Sequence, residues 1–432
     1  MDVDRTMKKV LVISYYWPPS GGSGVQRWVK MCKYLPSLGW FPVVYTPENP
    51  ALTSTDASLG DDVPAEVEVI RRPILEPGHL ARKSTNAQVT PINSQKKSLK
   101  QRIAMWIRGN CFIPDPRVLW VRPSVRFLKE YLKGHPVDAI VSTGPPHSMH
   151  LIAKKVAAAT GIPWVADFRD PWTRMFYFKH LSLTARSQRR HAALEKSVLD
   201  SATRVVAVSP LVQKDFQGMT QTSVELITNG FDEDDFPSSS IAEPGRFTLL
   251  HAGLFSSDGN PEALWKALGS MVKEDRDFAE NFHLVLCGKT DKEILDSIER
   301  SGLSANVENL GYLEHTKVVE LMQAASVLLL PLRKEPEYKA TLPGKLFEYL
   351  AARRPILGIG QKDGAMASIL ADTKSGEMFE WEEQQQMRRC LEEQYKLFKI
   401  GGDTRCSGDI DKYSRRAVAA SYARLLDSIC GK

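Results

Sequence analysis

Short apolar runs bounded by turn residues alternate with helical periodicity along the whole 432-residue chain. That alternation predicts an α/β fold with parallel sheets joined by crossover helices. In the first half the expected strands are residues 9–14, 42–46, 67–71, 138–142, 164–167, 204–208 and 224–227. Helices are expected between them, among others at 26–38, 150–159 and 187–200. A stretch rich in Ser, Pro and Gly at 237–245 then breaks the pattern as a linker does. Strands resume at 247–251, 283–287, 307–310, 327–331, 355–359 and 377–379. The organisation implied is two Rossmann-like domains, 1–236 and 247–410, a linker at 237–246 and a last helix within 411–432. Such halves place a ligand cleft between the carboxyl ends of their strands.

Within the second half, residues 338–357 (YKATLPGKLFEYLAARRPIL) carry the most chemistry. Pro343 is expected in the first turn of a helix, where its missing N–H removes nothing. Gly344 admits a ligand close to the backbone. The free amides and positive end of the helix favour an anion, and Lys345 adds a point charge. Glu348 lies about one turn further along the same face, where its carboxylate can accept from ribose hydroxyls. An ordinary amphipathic helix, with Leu346, Phe347 and Leu350 buried, fits the same residue types.

The segment resembles the donor-binding signature of GT-B glycosyltransferases, in particular the retaining family 4-like group. The resemblance implies ribose binding by Glu348 and diphosphate binding around Gly344, Lys345 and Leu346. Many members carry a second Glu eight positions earlier, where this chain has Ala340. Gly253, Gly288 and the 309–312 stretch (NLGY) resemble the family's nucleotide-binding loops. After the first of these the family usually places Arg, then Lys, but here Leu254 and Asp258 stand. The diphosphate charge then falls to Lys345, Arg333, Lys289 or backbone amides.

Three loops of the first half are candidates for acceptor chemistry. Gly21, Gly22 and Gly24, followed by Arg27, form a glycine-rich turn between strand and helix. It lacks the G-x-G-x-x-G spacing of a dinucleotide site and resembles the Pro-Pro-x-x-Gly-Gly loop opening many family 4-like enzymes. His147 and His150 are three apart, but no third metal ligand accompanies them. A packing role is open to either, and His147 is the first choice to bond a donor or acceptor hydroxyl. The 167–172 run (DFRDPW) places Asp167, Arg169 and Asp170 where parallel strands end. Either aspartate suits positioning the acceptor or acting as its base, whereas an Asp–Arg pair that merely fixes the loop is the plainer alternative. The last two loops resemble those of a bacterial polysaccharide-synthesis subgroup, and Glu195 matches a family Leu-Glu position.

The net charge of +6 is unevenly spread. Residues 71–133 hold 14 Lys and Arg against Glu76, Asp115 and Glu130. Within them, residues 96–108 read as a basic amphipathic helix with Leu99, Ile103, Trp106 and Ile107 on one face. Docking on an anionic membrane surface and packing on the domain core both fit it. Nucleic acid is a poor fit, since no recognised binding module surrounds the segment. No apolar run approaches the roughly 20 residues that span a bilayer, and the six scattered cysteines suggest neither disulfides nor zinc.

The expectation is a cytoplasmic, metal-independent glycosyltransferase without cofactor, peripheral to the membrane. It would move sugar from a nucleotide-diphosphate donor to a saccharide or lipid-linked acceptor in surface polysaccharide synthesis. A nucleotide-sugar epimerase of the same fold and a non-catalytic membrane-associated subunit are the alternatives.

Overall fold

The structure, a computed structural model, describes residues 8–51, 55–56, 58–76, 99–175, 178, 181–236, 245–402 and 406–431. The chain divides into two compact units, Met1–Thr228 with Arg415–Lys432, and Asn229–Ser414.

In the first unit β1 (Lys8–Ile13), β2 (Trp40–Pro47), β3 (Glu68–Arg72), β4 (Ala139–Gly144), β5 (Trp164–Phe168), β6 (Arg204–Ala207) and β7 (Val224–Leu226) form one parallel sheet. Its order is β3-β2-β1-β4-β5-β6-β7. Between the strands run α1 (Ser23–Tyr34), α2 (Leu99–Asn110), α3 (Val118–Gly134), α4 (Ser148–Thr160), α5 (Ala185–Ser201) and α6 (Pro210–Gln217). The central strands are apolar on both faces because helices cover both, and Val10 to Ile13 are fully buried. Helix α1 stops at Tyr34, short of the expected residue 38. Pro36 has no N–H for the ladder and opens a separate 3-10 turn that ends at Gly39, φ +86°.

The second unit holds β8 (Phe247–Ala252), β9 (Phe282–Cys287), β10 (Val307–Gly311), β11 (Val327–Pro331), β12 (Ile356–Ile359) and β13 (Gly376–Phe379), all parallel, in the order β10-β9-β8-β11-β12-β13. Its helices are α7 (Glu262–Glu274), α8 (Arg276–Asn281), α9 (Lys292–Arg300), α10 (His315–Ala324), α11 (Gly344–Ala352), α12 (Ala365–Thr373) and α13 (Gln384–Lys399). All thirteen strands lie within two residues of the expected ranges. In both sheets the order reverses once, between β1 and β4 and between β8 and β11, and ligands of such folds bind at the carboxyl ends of those strands.

The last helix, α14 (Arg415–Ile429), belongs to the first unit. Val418, Ala419, Tyr422, Leu425 and Leu426, spaced three and four apart, bury against α1, with the Tyr422 and Trp28 rings edge to face at 5.1 Å. The expected helix from residue 411 is interrupted, because Asp411–Tyr413 makes its own 3-10 turn. Residues 229–236, expected with the first domain, go with the second, where the Phe231 amide donates to the Tyr413 carbonyl at 3.0 Å. Most of the expected linker, residues 237–244, lies outside the described residues.

Candidate active site

In the second unit the switch point is built from β8, β11 and the start of α11. Gly253 leaves β8 at φ +97°, a conformation open to glycine. A Cβ there would lie 2.6 Å from Lys345 Cε and 2.9 Å from Nζ, so the lysine occupies the space a side chain would need. Gly288, at φ +111°, repeats the device after β9: its Cβ would meet the Gly253 carbonyl oxygen at 2.5 Å. Two glycines therefore bring two loop backbones together beneath the Lys345 ammonium. Nζ donates to the Leu254 carbonyl at 3.2 Å and stands 3.4 Å from His251 Nε2. Burial pulls the Lys345 ammonium down to about 8, against the attraction of Glu348. The Tyr349 hydroxyl, accepting from the Ala252 amide at 2.8 Å, ties α11 to the end of β8.

In the first unit, polar groups gather where β4, β5 and β6 end. Among the described residues, Thr143 Oγ1, both ring nitrogens of His147, His150 Nε2, Arg169 Nε and Ser209 Oγ are buried without a hydrogen-bond partner. Each such group costs on the order of 1–3 kcal/mol if left unmet, and a cluster of them can meet the donors and acceptors of a ligand or of ordered water. Gly144 makes the cluster possible, because a Cβ there would lie 2.5 Å from His150 Nε2 and 3.0 Å from His147 Nδ1. Burial, and for His147 also the neighbouring His150, holds both imidazoles below the ordinary histidine range, His150 at about 3. A neutral imidazole both donates and accepts, which suits a hydroxyl.

The His147 ring is held by stacking on Trp172, with centroids 4.8 Å apart and planes 2° from parallel. Trp172 is fixed in turn by α5: its indole N–H donates to His191 Nδ1 at 3.1 Å and its amide to Glu195 at 3.0 Å. At the front of α4, Asp115 accepts from the Ser148 amide and hydroxyl, both at 2.9 Å, satisfying a first-turn N–H.

Two family models match the chain: Glycosyltransferase Family 4 over residues 22–235 and Glycosyl transferases group 1 over residues 246–396. The chain belongs to the family 4-like glycosyltransferases. Solved structures show the same GT-B fold. HepE from Anabaena, determined in complex with UDP-glucose, is 16% identical with a TM-score of 0.59, over 98% of this chain and 100% of that one. WaaG, a glycosyltransferase involved in lipopolysaccharide biosynthesis, is 20% identical at a TM-score of 0.53, over 96% and 94%. TarM is 11% identical at a TM-score of 0.64, over 98% and 100%. No curated protein sequence matches the chain.

The glycosyltransferase brings together only some of the residues singled out in its sequence. Gly253, Gly288, Gly344, Lys345 and Glu348 surround or adjoin the loop described above, with Pro343 as the N-cap of α11 rather than in its first turn. Leu346 is not on that surface: its side chain is fully buried and its amide donates to the Pro343 carbonyl at 3.0 Å. Arg333 is ion-paired to Asp258 at 3.0 Å, and Lys289 has an exposed side chain while its carbonyl accepts from the Phe255 amide at 2.9 Å.

Asp167 departs furthest from the role expected of it. Both of its oxygens accept from the buried Arg27 guanidinium, at 2.9 and 3.1 Å, and one also from the Trp28 indole at 2.8 Å. The Arg27 side chain is likewise internal, donating to the Ile227 and Thr228 carbonyls. This buried pair ties α1 to β5 and to the end of the sheet, and neither member faces solvent. Of the other loop residues, Gly22 caps α1 at φ +95° beside Gly21, and Gly24 admits the Arg169 guanidinium, 2.5 Å from where its Cβ would be. Arg169 also donates to the Pro145 carbonyl and lies over the Tyr16 ring. Asp170 beside it is half-buried, its carboxyl raised by burial against the pull of Arg169. Among the described residues no group of three or more His, Cys, Asp or Glu is placed to hold a metal ion.

The basic helix resolves one open alternative. On α2, Leu99 is 70% exposed, Ile103 51%, Trp106 44% and Ile107 40%, so this face does not pack into the core. Lys96 and Lys97, at the expected start of the helix, lie outside the described residues. Among the described residues no helix is long and apolar enough to cross a membrane. Gly144, Asp115 and His251 were not singled out in the sequence. Only Gly144 carried a signal there, as the glycine between a buried strand and Pro145–Pro146.

Proposed function

We propose that this glycosyltransferase transfers a sugar, with retention, from a nucleotide-diphosphate donor to a saccharide or lipid-linked saccharide acceptor in surface polysaccharide synthesis. The observation that carries the donor assignment is Lys345 Nζ seated in the space left by Gly253, at the start of a helix. In this reading the α11 amides and Lys345 receive the diphosphate and stabilise it as it leaves. Glu348 accepts from the ribose. His147 bonds a sugar hydroxyl, and Asp170, rather than the internal Asp167, positions the acceptor. The donor's own β-phosphate takes the acceptor proton, and Lys345 with the α11 amides supplies the charge stabilisation of the leaving diphosphate that a metal would otherwise give. HepE in complex with UDP-glucose and WaaG in lipopolysaccharide biosynthesis support the donor and acceptor classes by likeness.

The exposed apolar face of α2, within a strongly basic stretch, favours a lipid-linked acceptor reached from an anionic membrane surface on the cytoplasmic side. The reading is tested by incubating the protein with labelled nucleotide sugars, with and without membrane-lipid extract from a polysaccharide-producing bacterium. Acceptor-dependent transfer of label supports it. Isomerisation of the donor without acceptor identifies an epimerase instead, and tight nucleotide binding without turnover identifies a non-catalytic subunit.

A further inference from the structure

Lys345 has a buried companion outside every motif of the donor loop. His251, within β8, is fully enclosed, and its Nδ1 lies 3.0 Å from the Leu329 carbonyl oxygen. The Leu329 carbonyl only accepts, so Nδ1 carries the hydrogen; the Leu254 carbonyl also lies within reach of the ring, and the neutral tautomer leaves Nε2 with the lone pair that faces Lys345. That lone pair stands 3.4 Å from Lys345 Nζ, whose other contact is the Leu254 carbonyl at 3.2 Å. Phe255 covers the imidazole, with ring centroids 4.2 Å apart.

We propose that His251 is a positioning residue that governs the charge on Lys345, so that a diphosphate enters the donor loop together with a proton taken up by the Lys345–His251 pair. The inference rests on the donor-site reading above. Two charged groups this close under burial repel, and the structure answers by keeping His251 neutral: burial and the neighbouring ammonium hold it well below the ordinary range. Burial lowers the Lys345 ammonium to about 8, against the pull of Glu348. Among the described residues the other titratable groups acting on this cluster are Glu348 and Tyr349 on α11 and Cys287 at the end of β9. Glu348 favours the ammonium, and the Tyr349 hydroxyl is pushed up by burial and stays neutral. A diphosphate against Nζ stabilises the charged form, so above about pH 8 binding draws a proton onto the lysine. Affinity must then fall as pH rises above about 8, approaching tenfold per pH unit for a one-proton linkage. Without the Nε2 lone pair the ammonium loses an acceptor, and the fall must begin at lower pH.

The test is calorimetry of UDP, GDP and ADP binding at several pH values above about 7.5, clear of the terminal phosphate's own titration near 6. Two buffers of different ionisation heat give the protons exchanged. Near pH 8 the wild type should take up about half a proton with whichever nucleotide binds. His251→Asn retains an N–H for Leu329 but not the acceptor for Lys345. It should weaken the diphosphate several-fold, leave the corresponding nucleoside unaffected and move the affinity loss to lower pH. His251→Gln, whose amide oxygen can face Nζ, should recover part of the difference. Tight binding without proton uptake, or an unchanged pH profile in His251→Asn, overturns the inference while the donor site stands. Equal losses for nucleoside and diphosphate overturn it too, by making His251 merely structural. Failure of all three nucleotides to bind removes the donor-site reading itself, and this inference with it.

Discussion

Arg333 and Asp258 form an ion pair of 3.0 Å across the mouths of β11 and β8, with the guanidinium also over the Tyr338 ring. Asp258 occupies a position where the family resemblance leads one to expect a lysine, and it pairs with Arg333, one of the candidates to replace that lysine. In the proposed function the diphosphate then relies first on Lys345.

Neutralising Asp258 should therefore improve diphosphate binding. Asp258→Asn removes a negative charge and releases Arg333, so nucleoside diphosphate affinity should rise several-fold at low salt. The gain should shrink as salt screens it. Unchanged or weaker binding in titration calorimetry would show that Arg333 lies outside the reach of the phosphates.

The Arg27–Asp167 pair should behave as an element of stability. Asp167→Asn leaves a buried guanidinium without its counter-charge, a change expected to cost about 3–5 kcal/mol. Denaturant unfolding measures it directly. A variant with wild-type stability but abolished turnover would instead return Asp167 to the chemistry.

The contrast between Asp167 and Asp170 shows what the sequence could and could not convey. The strands were legible because a parallel strand covered on both faces is a continuous apolar run, and each here is bounded by turn residues. The glycine–lysine start of α11 was legible because its spacing is local. Asp167 and Arg27 lie far apart in the chain, and no local pattern reveals that α1 delivers one to the other at 2.9 Å. The Leu346 side chain is buried beside the exposed start of α11, because one residue's shift around a helix turns a side chain from the outer face into the core. His251 pairs with Lys345 across 94 positions, again a tertiary fact.

His147 should matter to turnover and hardly to folding. Both of its ring nitrogens lack partners among the described residues, so removing them forfeits no hydrogen bond to those residues. His147→Phe preserves the stacking surface for Trp172 and should lower kcat/KM by roughly 10–100-fold, the loss of about 1.5–3 kcal/mol of transition-state bonding. Its melting temperature should stay within a few degrees of wild type. A large fall in stability with unimpaired turnover would make the histidine a packing residue.

Helix α2 should bind anionic membranes. Each basic residue near such a surface contributes about 1 kcal/mol, so liposome co-sedimentation should weaken markedly as salt rises. Exchanging Trp106 and Ile107 for Ser, with Arg102 and Arg108 for Gln, should release the protein while nucleotide affinity survives. Indifference of the wild type to anionic liposomes at low salt would assign this face to another partner.

The account turns on Lys345 as the group that receives the donor diphosphate, and the most direct measurement compares a nucleoside with its diphosphate in wild type and Lys345→Met. The wild type should bind the diphosphate the more tightly. The variant should lose about 1.5–3 kcal/mol of that preference, roughly 10–100-fold, while its nucleoside affinity and melting temperature are retained. A variant that keeps the full preference for the diphosphate would contradict the account, because the phosphates would then be held elsewhere.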